Sequence, residues 1–138
     1  MAKTPLPALL KAMVEQDASD MHITVGVPPE LRIGGRMVRV KLDPLTPQDS
    51  KELCYSILNP NQIEDFEKNL EIDFSFSVKD LARFRGNIFI QRGSVAGVFR
   101  RIPMLIPDFD SLGLPQVLKQ VIKRPNGLVL VTGPTGSG

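Results

Sequence analysis

Apolar positions near the start of the chain recur at helical spacing. Residues 5–16 carry five apolar side chains on one side, at positions i, i+3, i+4, i+7 and i+8: Leu6, Leu9, Leu10, Met13 and Val14. Thr4 suits the N-cap of such a helix, and Pro5 suits its first position. The pattern predicts an amphipathic helix.

Two further helices are predicted in the middle of the chain. Thr46 stands before Pro47 and Asp49, which is typical of a capped helix start, and Asn59 stands before Pro60 in the same way. The apolar side of the first helix is expected to hold Leu53, Cys54, Ile57 and Leu58. That of the second is expected to hold Ile63, Phe66 and Leu70.

Elsewhere the apolar period is two, which is typical of half-buried strands. Residues 72–78 alternate strictly, and residues 84–90 and 95–102 predict two more strands of an antiparallel meander, with turns at Lys79-Asp80 and Arg92-Gly93. Earlier in the chain, residues 19–24, 31–33 and 37–40 predict short strands. Gly34-Gly35 is expected to form the hairpin turn between the last two of these.

The pattern changes again after residue 102. Residues 103–113 contain prolines and show no clear period, so they are predicted to be a linker. Residues 114–122 return to helical spacing, and residues 128–131 form an apolar run typical of a strand buried on both faces. The predicted fold class is α+β, with a first domain at 1–102, a linker at 103–113 and the start of a second, α/β domain at 114–138.

Composition excludes several classes of protein. One cysteine and one histidine among 138 residues exclude an intrachain disulfide and a zinc site, and a reducing cytosol is the expected compartment. A net charge of +2 is too small to indicate nucleic-acid binding by itself. No apolar run is long enough for a transmembrane helix, and the N-terminus lacks the features of a secretory signal.

The strongest chemical signal lies in the last six residues, which follow the predicted buried strand: Gly133, Pro134, Thr135, Gly136, Ser137 and Gly138. Their glycine spacing matches the phosphate-binding loop G-x-x-x-x-G-K-[ST]. Glycines let the backbone turn several N–H groups toward one anion, so the loop is predicted to bind nucleotide phosphates. The alternative is a flexible Gly/Ser tail. Because the motif's lysine and hydroxyl residue would lie beyond residue 138, the chain alone is not expected to hydrolyse ATP.

Several segments together resemble the type II and type IV secretion ATPases, and among them the pilus retraction motors. The run GLVLVTGPTGSG at 127–138 resembles the strand and phosphate loop of this family. ASDMHI at 18–23 resembles its N-terminal signature, and RFRGNIFIQRGSVAGVFRRIP at 83–103 resembles the central strands of its N-terminal domain. ELCYSIL at 52–58 and SLGLP at 111–115 also fit, so the resemblance covers nearly the whole chain.

The resemblance implies a PAS-like N-terminal domain, a linker and a RecA-like ATPase domain. It also implies a ring of six identical subunits that uses ATP and Mg²⁺ to retract a type IV pilus in twitching motility. Such a motor is cytoplasmic and sits at the pilus base on the inner membrane, where a platform protein is its implied partner. Neither nucleic acid nor membrane insertion is expected.

In such motors, arginines on strands of the N-terminal domain approach the nucleotide phosphates. The matching positions here are Arg83, Arg85 and Arg100, and Arg92 and Arg101 are weaker candidates. Residues 83 and 85 share one strand face, which residues 87 and 91 continue. The planar fork of arginine donates in pairs to phosphate oxygens. The alternative is an ordinary solvated sheet face.

The remaining notable residues are predicted to be structural. Asp20 is expected to brace the first strand, His22 to be structural or a domain contact, and Cys54 to lie in the core. The phenylalanines of the meander are also expected in the core, except that Phe89 falls on the arginine face: Phe74, Phe76, Phe84 and Phe89.

Three functional hypotheses remain open at this point. The first is the motor. The second is a non-enzymatic assembly or regulatory module of a secretion or pilus-extension ATPase. The third, a nucleic-acid-dependent nucleotide hydrolase, is disfavoured by the weak charge and the lack of an aromatic-basic pattern. For the segment 114–131, we expect bare apolar faces, with the segment mobile or packed against another chain.

Overall fold

The computed structural model describes residues 4–133 and divides the chain into two compact units, Met1–Met104 and Leu105–Gly138. The described part of the first unit contains three helices: α1 (Leu6–Glu15), α2 (Pro47–Tyr55) and α3 (Pro60–Asn69). It also contains six strands: β1 (Asp20–Ile23), β2 (Glu30–Ile33), β3 (Arg36–Arg39), β4 (Glu71–Val78), β5 (Ala82–Gln91) and β6 (Ser94–Ile102). The second unit contains α4 (Val117–Val121).

The six strands form one antiparallel sheet in the order β3-β2-β1-β6-β5-β4. The meander β4-β5-β6 is confirmed, as is the β2-β3 hairpin with both turn glycines at positive φ. The two halves join where β1 pairs with β6, which places Asp20 opposite Arg100 and Met21 opposite Phe99. The coarse α+β class is thus confirmed as an antiparallel sheet with helices.

The helices cover one face of the sheet, and the other face is left outside the core. Buried side chains from all three helices, among them Leu10, Cys54 and Phe66, join one hydrophobic cluster with every second strand residue, such as Phe84 and Phe99. This face is called the core face below. The opposite face carries the alternate residues of each strand and is called the outer face.

The core positions predicted for Cys54 and for the phenylalanines of β4 and β5 are confirmed. Phe74 and Phe84 are buried, and Phe76 is half-buried and stacks against both. Cys54 is fully buried against β6, and this burial raises the pKa of its thiol to about 12. Such a thiol is a small apolar side chain rather than a nucleophile.

Helix starts follow the caps that the sequence contains, with one exception. Thr46 and Asn59 each form a capping box, in which the side chain accepts a hydrogen bond from the backbone N–H of Asp49 or Gln62 respectively. The predicted Thr4 cap of α1 is wrong, because Pro5 occupies the N-cap position and makes no side-chain bond. The apolar side of α1 is nevertheless buried as expected.

One apolar assignment near a helix end is also wrong, and one helix end was placed too late. Leu70 was predicted on the buried side of α3, but it is the C-cap of that helix in a left-handed conformation, and it is exposed. Ile57 and Leu58 lie beyond α2, which ends at Tyr55, but both pack in the hydrophobic core as predicted. Helical periodicity does not mark where a helix stops, so it extends into the capping residues.

Replacing Asn59 by alanine is expected to lower the free energy of unfolding by about 1 kcal/mol, because the Gln62 N–H loses its acceptor at 2.9 Å. Urea denaturation followed by circular dichroism measures the change. Asn59→Asp keeps the acceptor and should retain most of the stability. An equal loss in both variants would show that the cap does not stabilise α3.

In the second unit, the structure departs from the predicted elements. The helix is five residues long rather than the predicted 114–122, and within the described residues no strand forms at 128–131. These apolar side chains are largely exposed, up to 87% for Val131. A strand buried on both faces needs paired neighbours, and no strand within residues 105–133 provides them. The expected bare apolar surface is therefore present. The hydrogen bonds within this unit include those that the Gln116 amide and the Lys119 ammonium donate to the Asp110 carboxylate.

Candidate functional site

The three predicted arginines lie together on the outer face of the sheet. Arg83 and Arg85 are exposed on β5, and Arg100 is exposed on β6. The register places Arg85 directly opposite Arg100. Side chains at opposite positions of an antiparallel pair have Cβ atoms about 5 Å apart, so two like charges meet here at a cost in stability. The local geometry therefore concentrates positive charge at one place on this face.

Each member of this arginine pair has an aspartate partner from the neighbouring strand. Arg85 donates to both carboxylate oxygens of Asp73 on β4, from Nε at 3.0 Å and from Nη2 at 2.6 Å. Hydrogen bonding to Arg85 lowers the pKa of Asp73, and the same contact raises the pKa of Arg85. Both side chains are well exposed, so this ion pair is open to water and to competing anions.

Arg100 is held in a different way, by a carboxylate inside the protein. Its Nε donates to Oδ1 of Asp20 on β1 at 2.8 Å, and Asp20 is only 5% exposed. Ser19 donates to the other oxygen at 2.8 Å, and Arg32 of β2 lies 3.5 Å from it. Burial alone would raise the pKa of Asp20. The bonds from Arg100 and Ser19 and the nearby positive charges outweigh burial and hold this pKa below its ordinary value.

Arg83 and the other polar residues complete the outer face. Nη2 of Arg83 donates to the Ser75 hydroxyl at 3.3 Å, and the Asn87 amide donates to Glu71 at 3.1 Å. Phe89 is half-buried on this face, as predicted. The two weaker candidates lie away from the arginines of the outer face. Arg101 pairs with Asp17 and is opposite Phe84 of the core face, and Arg92 lies in the β5-β6 turn.

The donor set of this face suits a phosphate group. Within residues 4–133, the guanidinium of Arg100 bonds only through Nε, although its side chain is 71% exposed. Arg83 likewise makes a single bond to a neutral hydroxyl. Arg83 and Arg100 thus have guanidinium N–H groups that make no other bond among these residues, and Arg85 is in an ion pair that another anion can displace. Such planar N–H donors suit the oxygens of a phosphate.

His22 lies on the same outer face, between Glu30 of β2 and Val98 of β6. Partial burial lowers the pKa of its imidazole, and the charge of Arg32 acts in the same direction, against the carboxylates of Asp20 and Glu30. The ring is therefore favoured in its neutral form. Among the described residues no cluster of histidine, cysteine and acidic side chains could hold a metal ion.

Sequence reasoning missed two residues of this site. Asp73 occupies an ordinary polar position in an alternating strand, and Arg32 lies in a short strand whose neighbour could not be deduced. The signal that could have found Asp73 is its position on the same strand face as Ser75, opposite the predicted β5 arginines. Asp20, by contrast, braces the first strand as predicted.

The predicted phosphate loop falls almost wholly outside the described residues. Gly133 is exposed, and residues 134–138, which include Gly136 and Gly138, are not described. The loop therefore stays a prediction. In the described residues 4–133, no helix is long and apolar enough to cross a membrane.

Relatives of known function resemble the chain along nearly its whole length. It is 47% identical over 130 residues to the type IV pilus retraction ATPase PilT of Pseudomonas aeruginosa, covering 94% of this chain and 38% of that protein. It is 38% identical to a twitching motility protein of Neisseria gonorrhoeae, covering 95% of this chain and 35% of that protein. The chain is thus similar, along nearly its whole length, to ATPases of the secretion ATPase family, which includes the pilus retraction ATPases. No protein-family profile matches it.

Solved structures of the secretion ATPase family share the fold. The crystal structure of the pilus retraction motor PilT with bound ADP superposes with a TM-score of 0.77 at 44% identity, covering 99% of this chain and 40% of that one. The Legionella pneumophila ATPase DotB gives a TM-score of 0.83 at 24% identity, which supports the fold alone. The chain thus spans about two fifths of the length of these ATPases.

Proposed function

We propose that this chain is the N-terminal part of a hexameric, ATP-driven motor that powers type IV pilus retraction. Its 47% identity to a retraction ATPase supports the proposal. That relative is more than twice as long as the matched region, so the activity is proposed for a longer protein that contains this chain. In that protein, residues 1–102 would be a PAS-like domain and residues 114–138 would begin a RecA-like ATPase domain.

The observation that carries the nucleotide role is the register of Arg85 and Arg100 on the exposed outer face. In a closed ring of identical subunits, such a face would meet a nucleotide held elsewhere in the assembly. Its guanidinium groups would donate to phosphate oxygens and balance negative charge. The arginines would then bind nucleotide, whereas on an ordinary solvated face they would contact only water and neighbouring side chains.

The glycine loop supplies the second half of the proposed site. The backbone N–H groups of residue 133 and residues 135–138 would surround the phosphates, since Pro134 has no N–H, and a lysine and a hydroxyl residue would follow in the longer protein. ATP supplies the transferable phosphoryl group, and Mg²⁺ neutralises charge on its oxygens. The 138-residue chain, without that lysine and hydroxyl, should not hydrolyse ATP.

The cellular setting is part of the same proposal, and the resemblance to pilus retraction ATPases supports it. The motor would work in the cytoplasm at the base of a type IV pilus, bound to a platform protein of the inner membrane. Rotation of the N-terminal domain against the ATPase domain would convert hydrolysis into withdrawal of pilin subunits. Neither nucleic acid nor insertion into the membrane has a part in this function.

ATP hydrolysis by the longer protein, with each arginine changed to alanine in turn, tests the proposal. We expect Arg100→Ala and Arg85→Ala to lower kcat/KM about 10- to 100-fold, because each removes a charged donor to phosphate. Arg39→Ala, which removes an arginine from an ion pair with Glu30 on the same face, is the matched control and should leave kcat/KM unchanged. Unchanged hydrolysis in all three site variants would instead favour a non-enzymatic assembly role for this domain.

A further inference from the structure

Asp20 is an acidic side chain whose surroundings differ from those of the other carboxylates on the outer face. Its side chain is 7% exposed, whereas that of Asp73 is 46% exposed. It receives hydrogen bonds from Ser19 on one oxygen and from Arg100 on the other. A carboxylate fixed by burial and by bonds from two sides is a rigid acceptor, because its rotamer is already restricted by packing.

The two arginines of the pair are consequently held in unequal states. Asp73 occupies Nε and one terminal nitrogen of Arg85, so a phosphate must displace a bidentate partner to reach that guanidinium. Asp20 occupies only Nε of Arg100, and no bond within residues 4–133 engages its two terminal nitrogens. Arg100 therefore is both oriented and available, whereas Arg85 is oriented but occupied.

We propose that Asp20 is a positioning residue that holds Arg100 ready to receive a nucleotide phosphate. The proposal rests on the nucleotide role proposed above. A guanidinium that is already oriented loses less side-chain freedom when it binds, so the phosphate contact is tighter. The carboxylate also offsets the repulsion between Arg100 and Arg85, which would otherwise drive the two side chains apart.

A purely structural role for Asp20 predicts different results. Asp20 joins β1 to β6 across 80 residues of sequence, so it also braces the sheet. If bracing were its whole role, an amide in its place would change stability and leave the affinity of a folded protein for nucleotide unaltered. Affinity and the state of the Arg100 side chain therefore separate the two roles.

The first test is ATP affinity of the longer protein, measured by equilibrium binding. We expect Asp20→Asn to raise the Kd for ATP about 2- to 10-fold, the range that follows from ordering one long side chain. We expect no further increase when Asp20→Asn is added to Arg100→Ala, since both act through the same guanidinium. Glu30→Gln makes the same carboxylate-to-amide change at the Arg39 ion pair on this face and should leave the Kd unaltered.

The second test needs no ATP hydrolysis, and its main readout comes from the wild-type chain. In the 138-residue chain, nuclear magnetic resonance should show a slowly exchanging Nε–H for Arg100, because it is bonded to a buried acceptor. Added inorganic triphosphate should shift the terminal N–H signals of Arg100 while its Nε–H stays protected. In Asp20→Asn, if folded, the Nε–H protection should fall, because a neutral amide oxygen is a weaker acceptor for a guanidinium than a carboxylate.

The possible failures are distinguishable. If Arg100→Ala does not change ATP affinity, the proposed nucleotide role of Arg100 fails and the positioning role fails with it. If Arg100→Ala weakens binding but a folded Asp20→Asn protein binds like the wild type, only the positioning role is wrong. Additive effects of the two changes, or rapid exchange of the Arg100 Nε–H in the wild type, would also overturn it.

Discussion

Replacing Phe99 by alanine is expected to lower the free energy of unfolding by about 3–5 kcal/mol, enough to remove much of the stability of a domain of this size. Phe99 is fully buried on β6 and makes a T-shaped ring contact with Phe76. It also lies opposite Met21 of β1 and Gly86 of β5. Its ring thus supports the strand that joins the two halves of the sheet, and alanine would leave a cavity there.

Chemical denaturation of the 138-residue chain and of Phe99→Ala measures this loss. Phe89→Ala is the matched control, because it removes the same ring from the half-buried outer face of the adjacent strand, and its effect should be clearly smaller. Equal losses of unfolding free energy in the two variants would mean that the core does not lie between the helices and the core face of the sheet. Phe99→Leu, which keeps most of the volume, should fall between the wild type and alanine.

Gly97→Val is expected to cost about 3 kcal/mol, through crowding rather than through a cavity. A Cβ atom at residue 97 would lie 2.9 Å from Sγ of Cys54 and 3.2 Å from the Phe99 ring. The cysteine side chain is short and belongs to α2, so relief requires the whole helix to move away from β6. The Ser50 hydroxyl, which donates to the Val95 carbonyl, resists that movement.

The source of this crowding can be identified with a second substitution. In a Cys54→Ala background, Gly97→Val should cost distinctly less than in the wild type, because the atom nearest to the new Cβ has been removed. Val98→Ile enlarges a partly exposed neighbour on the outer face and should change stability by no more than about 0.5 kcal/mol. Thermal denaturation gives all four values. An undiminished cost in the Cys54→Ala background would assign the strain to Phe99 instead.

The elements that sequence predicted well are those decided by neighbouring residues. The caps at Thr46 and Asn59, the hairpin glycines at 34 and 35, and the alternation of residues 72–78 each determine structure within a few positions. They were confirmed because local hydrogen bonds and side-chain period are properties of the segment itself.

What sequence could not provide depends on contacts between distant segments. The pairing of Asp20 with Arg100 requires β1 to lie beside β6, and no local sequence pattern indicates which strand lies next to β1. The prediction of a strand at 128–131 was wrong for a related reason, since a buried strand exists only where other strands flank it. The arginine candidates came from the resemblance to the secretion ATPases, and the strand period added that residues 83 and 85 share one face.

The strand order also determines when the domain can fold during synthesis. The first three strands emerge early from the ribosome, but in the described sheet they join the other strands through the pairing of β1 with β6, which is completed at Ile102. Until then β1 keeps an unpaired edge, and the apolar side of α1 has little to cover. A nascent chain that stalls before this point would therefore expose an aggregation-prone strand edge, whereas a chain that includes β6 can pair that edge.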